Sequence, residues 1–207
     1  MKEIKEYEKD LASIRTMMER SVKFISLSGL SGVLSGIYAL AGALTAYFLI
    51  YYPYSPYGFQ FYFLTQETVI VKLLATAVAV LVLSLGTGYG LSLQKAKKLG
   101  VPIWNITSRQ LLMDLLIPLA TGGLFLLILI SWEYYIIVAP TCLVFYGLAL
   151  INGSRNTYDE VKYLGLTEIA LGLTSALLPG YSLLFWATGF GVMHIVYGTA
   201  MHYRYDR

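Results

Sequence analysis

Charge is the scarcest feature of this sequence. Only 13% of the 207 residues are Asp, Glu, Lys or Arg, about half of the ~25% that soluble globular domains carry. The few charges are also clustered, and none occurs between Phe24 and Gln66. Together with a mean hydropathy of +0.64, this excludes an ordinary soluble domain and indicates a chain built largely from apolar segments.

Cysteine is almost absent as well. Cys142 is the only one, so the chain can form no intramolecular disulfide and no cysteine-based metal cluster. The first 23 residues carry eleven charges and no apolar run, which predicts an uncleaved first anchor rather than a signal peptide. The basic residues are scattered among acids or placed at the ends of apolar stretches, so we expect no nucleic-acid partner.

Long apolar stretches dominate what is present. A membrane-spanning helix needs about 20 apolar residues, and six stretches approach or exceed that length, at 24–52, 68–93, 110–131, 134–152, 161–178 and 182–201. The predicted fold is therefore all-α. We expect a six-helix transmembrane domain over 24–201, an amphipathic cytoplasmic helix over 1–23 and a short cytoplasmic tail over 202–207.

The basic residues predict the orientation of these spans. Fourteen of the fifteen Lys and Arg residues fall in the N-terminal segment, the second and fourth connecting segments and the C-terminal tail, and Lys72 is the exception. Because short segments rich in Lys and Arg stay in the cytoplasm, six spans place both termini there. We expect a multi-pass protein of the inner (plasma) membrane. Its partners would be the lipid bilayer and either a second copy of the chain or another membrane subunit.

The segments on either side of the first span have their own patterns. Apolar residues within 1–23 recur every three or four positions, which fits a short coiled coil between protomers as well as a helix on the membrane surface. The first external loop, from Tyr51 to Phe63, is dense in aromatic residues. We interpret this loop as a belt at the membrane interface rather than a ligand-stacking lid.

Glycine patterns indicate an internal repeat. Spans two, four and six each end with a Tyr-Gly pair, whose glycines are Gly90, Gly147 and Gly198. Spans one and five each carry two glycines seven residues apart, which are Gly29 and Gly36, and Gly165 and Gly172. We therefore predict three pseudo-repeated helical hairpins. Small residues let membrane helices approach closely, so we expect helix packing at the three Tyr-Gly glycines and along the stripe Ser28, Gly32 and Gly36.

Spans five and six resemble the HdeD-like proteins in the spacing of Gly165, Gly172, Pro179, Gly189 and Gly198. That family consists of six-helix bacterial membrane proteins linked to acid stress and built from short, glycine-marked hairpins. The resemblance covers about a fifth of the chain, and the charged N-terminal segment and the aromatic first loop are not part of its pattern. It implies an envelope-stress or accessory protein without known catalysis, and it transfers no functional residues.

Three ionisable residues inside the spans form a candidate polar cluster: Asp114, Glu168 and His194. Counted from the cytoplasmic ends of their helices, all three lie about 8–12 Å deep, where a charge costs roughly 2.5–3.5 kcal/mol on insertion scales. Pro118 lacks the N–H that would bond the carbonyl of Asp114, so a carboxylate and a free carbonyl coincide there. The three residues either fix helix packing or line a proton or cation path. They lack a metal-binding motif spacing, so we predict no metal.

The function that we expect is a non-enzymatic envelope, stress-response or accessory role. The alternative is a small proton- or cation-linked transporter or channel that uses Asp114 and Glu168. A third interpretation, an intramembrane hydrolase, comes from Gly29-Leu30-Ser31-Gly32, which is similar to the GxSG motif of rhomboid proteases, with His194 as the base. The serine lies in the first span, however, and Gly198 follows His194 by four residues rather than three. We therefore assign no catalytic residue and no cofactor.

Overall fold

A computed structural model of the protein describes residues 28–50 and 67–206, and every regular element in these two ranges is helical. The all-α prediction is confirmed for this part of the chain. Five long helices come first: α1 (Gly29–Ile50), α2 (Glu67–Leu99), α3 (Ile106–Ser131), α4 (Val138–Gly153) and α5 (Glu160–Leu177). The chain then forms α6 (Ser182–Trp186), a π-helical segment (Ala187–Met193) and α7 (His194–Tyr205). We call Pro179–Tyr205, which contains these last three, the C-terminal helix.

Five segments of the described chain are long and apolar enough to cross a membrane. They are Gly29–Ile50, Thr68–Leu99, Ile106–Ser131, Tyr135–Asn156 and Pro179–Tyr205. Helix α5 corresponds to the remaining predicted span, but its 18 residues include three charged ones, Glu160, Lys162 and Glu168. An apolar helical bundle of this kind is typical of a multi-pass membrane protein.

The helix ends differ from the predicted boundaries mainly on one side of the bundle. Helix α2 continues to Leu99, so Lys97 and Lys98 lie in its last turn rather than in a loop. Helix α7 continues to Tyr205, so most of the predicted tail is helical. The predicted amphipathic helix over 1–23 and the aromatic loop between Tyr51 and Phe63 lie outside the described residues.

A short connection joins α2 to α3, and local sequence explains both of its ends. Gly100 follows α2 with a φ of +68°, a left-handed conformation that glycine adopts without a Cβ penalty. Asn105 then caps α3, because its side-chain oxygen accepts from the N–H of Ser108 at 2.8 Å. The hydroxyl of Ser108 in turn accepts from the N–H of Asn105 at 2.8 Å, which completes a capping box.

Helix α1 packs closely against the C-terminal helix. A Cβ on Gly36 would lie 2.6 Å from the carbonyl oxygen of Gly191, and one on Gly29 would lie 2.6 Å from that of Gly198. A Cβ on Gly32 would lie 3.0 Å from the Cα of Gly198. Residue numbers rise along α1 as they fall along its partner, so the two helices are antiparallel. The absence of side chains at these glycines lets the two backbones touch.

Helices α4 and α5 form a second antiparallel pair with the same kind of contact. A Cβ on Gly147 would lie 2.6 Å from the carbonyl oxygen of Gly165, and a Cβ on Gly165 would lie 2.7 Å from that of Gly147. Further along, a Cβ on Gly172 would lie 3.0 Å from the carbonyl oxygen of Pro140. Both pairs of closest backbone contacts thus join helices that the predicted three-hairpin arrangement assigns to different hairpins.

Two of the predicted helix-packing residues have other surroundings. Gly90 has open space where a Cβ would be, with no atom of the described residues within 4 Å, and its neighbour Tyr89 is exposed. Ser28 precedes α1 rather than lying in it, and its hydroxyl donates to Oδ2 of Asp206 at 3.3 Å. A Tyr-Gly pair or a serine in an apolar run indicates that another helix can approach closely there. It does not indicate whether a helix lies at that position.

Candidate functional site

Two of the three predicted polar residues meet in the middle of the bundle. Glu168 lies on the buried face of α5 and has no solvent-accessible surface. Its Oε1 is 3.5 Å from Nδ1 of His194 at the start of α7. His194 is itself 6% exposed. The structure therefore places a carboxyl group and an imidazole side by side, away from the ends of α5 and of the C-terminal helix.

Hydrogen bonds to both ring nitrogens fix the orientation of His194. Nδ1 is 3.0 Å from the carbonyl oxygen of Gly189, and Nε2 is 2.7 Å from the hydroxyl of Tyr146 on α4. A carbonyl can only accept, so Nδ1 carries a proton and donates it to Gly189. In the neutral ring, Nε2 is then the acceptor, and the Tyr146 hydroxyl donates to it.

The carboxyl group of Glu168 has no such support. Neither Oε1 nor Oε2 forms a hydrogen bond with any of the described residues. Oε2 approaches the backbone of Gly189, in a space that it shares with Leu143. An ionised carboxylate left unbonded in an apolar interior costs several kcal/mol. Glu168 therefore needs either a proton of its own or a positive charge on His194.

The π-helical segment Ala187–Met193 is what brings these groups together. Seven residues long, it places the carbonyl of Gly189 within reach of the His194 ring, and it places Phe190 in an aromatic column. The ring of Phe190 is 5.0 Å from that of Trp186, 4.9 Å from that of Tyr146 and 6.0 Å from that of His194, measured between centroids. Such π-helical turns are rare and occur frequently at functional sites.

Asp114 is not part of this cluster. Its Oδ2 accepts a hydrogen bond from Nδ2 of Asn156 at 2.6 Å. Its backbone carbonyl, which lacks a helical partner because of Pro118, accepts from Nδ2 of Asn152 at 2.8 Å. Both acceptors are satisfied by amides at the end of α4. Asp114 therefore links α3 to α4, and no bond in the described chain joins it to Glu168.

Ser31 and His194, the two residues of the hydrolase interpretation, are not hydrogen-bonded to each other in the described ranges. The hydroxyl of Ser31 donates to the carbonyl of Ser28 at 2.6 Å. Both nitrogens of His194 are bonded to other groups, as described above. The described residues also contain no group of three or more His, Cys, Asp or Glu side chains arranged to hold a metal ion.

A second polar cluster lies where α1 begins and the C-terminal helix ends. Asp206 accepts from Nζ of Lys95 at 2.6 Å and from the backbone N–H of Gly29 at 2.8 Å. Nδ1 of His202 lies 3.4 Å from Oδ2 of the same carboxylate. Burial alone would raise the pKa of Asp206, but the bonds from Lys95 and Gly29 outweigh it and hold this pKa below its ordinary value. We call the end of the bundle that contains Gly29, Lys95 and Asp206 the Asp206 end.

Sequence reasoning missed Tyr146 and Gly189 as members of the central site. Tyr146 belongs to one of the repeated Tyr-Gly pairs, but a packing motif gives no indication that its hydroxyl meets a histidine 48 positions later. Gly189 was noted only for its spacing. The π-helical turn that exposes its carbonyl has no signal in the composition of the segment.

No protein-family model, curated protein or solved structure matches this chain. The resemblance to HdeD-like proteins stays a prediction. The fold and the site define the class of the protein, which is an α-helical membrane protein with a buried carboxyl–imidazole pair. We call this pair the Glu168–His194 site.

Proposed function

We propose that this protein is a small proton-linked transporter or channel of the inner (plasma) membrane, and that Glu168 is its proton-binding group. One observation carries the proposal: a fully buried carboxyl, whose two oxygens have no hydrogen-bond partner among the described residues, lies 3.5 Å from an imidazole nitrogen. Ionisable residues at membrane depth commonly mark ion paths and proton relays. Glutamate and histidine in contact form a minimal pair for passing a proton.

The surroundings of Glu168 favour a proton over a metal cation. The groups nearest to its carboxyl are the ring of His194, the backbone of Gly189 and the side chain of Leu143. Hard cations such as Ca²⁺ and Mg²⁺ need about six or more oxygen ligands, several of them usually anionic or water. The imidazole and the leucine supply none, and the carbonyl oxygen of Gly189 already accepts from Nδ1 of His194. A proton requires only one acceptor and one donor, which this pair provides.

Asp114 shows what a purely structural carboxylate looks like in the same protein. Its Oδ2 and its backbone oxygen each receive an amide hydrogen bond, and none of its side-chain oxygens is among the buried, unbonded atoms of the described residues. Glu168 has no such bonds within the described part of the chain. A buried polar group that is kept for packing is expected to have its hydrogen bonds satisfied, because an unsatisfied one costs stability. This contrast supports a transport role for Glu168 and a structural role for Asp114.

The same proposal includes six membrane crossings with both termini in the cytoplasm. Asp206, just after the C-terminal helix, accepts a hydrogen bond from the N–H of Gly29 at the start of α1. This bond supports placing the start of α1 and the end of the C-terminal helix on the same side of the membrane. That requires an even number of crossings, so α5 would cross as well as the five apolar segments. Arg204 bonds Glu160, the first residue of α5, at 2.7 Å, in agreement with this arrangement.

Sided cysteine labelling tests the topology. In a Cys142→Ser background, Lys97→Cys and Trp132→Cys should react with a membrane-impermeant reagent from opposite sides of the bilayer. Lys97→Cys should be reached only from the cytoplasm. Labelling of both positions from the same side would contradict six crossings.

Proton flux into proteoliposomes tests the function. Liposomes containing a pH-sensitive dye would receive wild type, Glu168→Gln or Asp114→Asn, and a pH gradient would be imposed. We expect wild-type flux above that of protein-free liposomes, and a loss of about 10²-fold or more in Glu168→Gln, as for loss of a direct proton-transfer group. Asp114→Asn should keep its flux per folded molecule and lose stability.

The same assay has an outcome that favours the accessory role instead. Wild-type liposomes that conduct no better than empty ones, across both directions of the gradient, would contradict the transport proposal. Equal flux in wild type and Glu168→Gln would contradict the assignment of Glu168.

A further inference from the structure

A line of side chains, all of them polar except Met201, runs from the Glu168–His194 site toward the Asp206 end. On the C-terminal helix, His194, Tyr197, Met201 and Tyr205 recur at spacings of three, four and four residues, which places them on one helix face. At a rise of 1.5 Å per residue, this stripe is about 16 Å long. It connects the buried imidazole with the last residue of α7.

Tyr197 occupies the middle of this stripe, and its hydroxyl is unused. The ring packs, together with Tyr146 and Tyr205, around the cluster of buried residues Leu150, Tyr158, Val161, Leu164 and Met201. The hydroxyl oxygen is buried and has no hydrogen-bond partner among the described residues. A tyrosine hydroxyl both donates and accepts. Along the C-terminal helix, Tyr197 lies between His194, to which Tyr146 is bonded, and Tyr205, which is bonded to Glu160.

Glu160 ends the line at the first residue of α5. Its Oε1 accepts from Nη1 of Arg204 at 2.7 Å and from the hydroxyl of Tyr205 at 2.9 Å. Its Oε2 is buried and unbonded within the described chain. The side chain as a whole is 23% exposed. One carboxyl oxygen is therefore held near solvent, and the other lies in the interior on the same helix as Glu168.

From this arrangement we infer that Glu160, Tyr197 and Tyr146 form the route by which protons pass between solvent and the Glu168–His194 site. The inference rests on the proposed function, and it assigns the side of the bundle from which Glu168 is loaded. Buried polar atoms that lack protein partners are commonly joined by ordered water, which would complete the connection between successive groups.

The transfer balances at every step. Glu160 takes a proton from solvent and releases it inward. The hydroxyl of Tyr197, and then that of Tyr146, gains one proton and gives up another, so both tyrosines end unchanged. Tyr146 donates to Nε2 of His194, to which it is already bonded, and the Nδ1 proton moves to Oε1 of Glu168, 3.5 Å away. One proton is transferred from solvent to Glu168, and the ring proton of His194 ends on Nε2 instead of Nδ1. The imidazole returns to its first tautomer before the next transfer.

The other charged side chains near this route form contacts of their own. Lys95 is paired with Asp206 at 2.6 Å and lies 3.5 Å from the hydroxyl of Tyr158. The side chain of Arg204 is 69% exposed, and its Nη1 lies 2.7 Å from Oε1 of Glu160. These groups surround the outer part of the route, and Glu160 is the member with an oxygen directed inward.

The test separates the rate of proton exchange from its extent. After a rapid pH change, infrared difference spectra of the purified full-length protein follow the carboxyl band that Glu168→Gln lacks. Tyr197→Phe and Glu160→Gln should slow the appearance of this band by at least about tenfold, less than the ~10²-fold effect of removing a direct proton-transfer group. The final amplitude should match wild type in both. Tyr163→Phe, an exposed tyrosine on α5, should exchange at the wild-type rate.

The possible failures are distinguishable. Wild-type rates in both Tyr197→Phe and Glu160→Gln, with a band that still disappears in Glu168→Gln, would overturn the route and leave the proposed function intact. A band that Glu168→Gln does not remove would overturn the proposed function itself. If Tyr197→Phe does not fold, the rate in Glu160→Gln decides alone, because the Glu160 side chain is partly exposed and glutamine keeps its size.

Discussion

Gly36 and Gly147 make the same contact in two different helix pairs. A Cβ on either would lie 2.6 Å from a carbonyl oxygen of the opposite helix, that of Gly191 or Gly165 respectively. In each pair the contact is completed by the isoleucine four residues beyond that second glycine. The two pairs together form the framework that holds α5 and the C-terminal helix, and hence Glu168 and His194, in fixed positions.

The first prediction follows from this contact. Gly147→Ala should lower the free energy of unfolding in detergent by about 1–3 kcal/mol, because a rigid backbone carbonyl has to move to admit the new methyl group. Gly90→Ala is the matched control from another Tyr-Gly pair. It meets open space and should raise helix stability by up to about 1 kcal/mol, through alanine's higher helix propensity. Equal losses in the two variants, measured by denaturant titration, would contradict the different roles of these glycines.

These two glycines show where sequence reasoning reaches its limit. Hydropathy and charge predict the long helices of the described chain with ends up to six residues from the observed ones, the largest difference being at the end of α2. Composition indicates where a helix forms better than where it ends. The Tyr-Gly repeat identified positions where a close approach is possible. Whether a helix actually lies there depends on the arrangement of the whole bundle, and Tyr89-Gly90 and Tyr146-Gly147 are indistinguishable in this respect from sequence.

The second prediction concerns the carbonyl of Asp114. Asn152→Ala removes the amide that satisfies it and should cost about 1–3 kcal/mol, the penalty for a buried acceptor left unpaired. In a Pro118→Ala background the restored N–H can bond the same carbonyl within the helix. The cost of Asn152→Ala should therefore be smaller there. A double-mutant cycle on unfolding free energies measures this coupling, and additive costs would contradict the proposed exchange of donors.

Asp114 also shows which features can be predicted from nearby sequence and which depend on another helix. The free carbonyl was predictable because a proline acts on the residue four positions before it. The amides that satisfy it come from another helix, and so does the Tyr146 hydroxyl that bonds His194. The π-helical turn at Ala187–Met193 depends on its neighbours in the same way. Sequence therefore identified the polar residues but could not assign their partners.

The third prediction is a pH dependence of stability at the Asp206 end. The folded pKa of Asp206 is lower than its ordinary value, so the ionised form stabilises the fold. This stabilisation is fully present above the unfolded pKa, about 3.9, and is lost as the pH falls through the folded pKa. Wild type should exceed Asp206→Asn in unfolding free energy by a constant amount above about pH 5, and the difference should shrink below about pH 4.

Lys95→Met provides the matched variant for this measurement. Removing the ammonium takes away the partner of the shortest bond to Asp206, at 2.6 Å, and leaves the backbone N–H of Gly29 in place. The pH-dependent part of the stability should then be reduced but not abolished. An unchanged pH dependence in Lys95→Met would show that another carboxyl is responsible.

The last prediction is that Glu168 lowers the stability of the fold but is required for proton flux. Glu168→Met replaces an unbonded buried carboxyl with an apolar side chain of similar volume. A buried polar group without a hydrogen-bond partner costs about 1–3 kcal/mol, so replacing it with an apolar side chain should be neutral or stabilising by a similar amount. We therefore expect Glu168→Met to unfold at the same or a higher denaturant concentration than wild type, while its proton flux falls to the level of empty liposomes.

A residue kept only for packing would behave in the opposite way, because its removal would weaken the bundle. If Glu168→Met is substantially less stable than wild type, the carboxyl has structural partners and its lack of bonds does not indicate a transport role. Retained stability with lost flux would show that this carboxyl is kept in the bundle at a cost to stability because transport requires it.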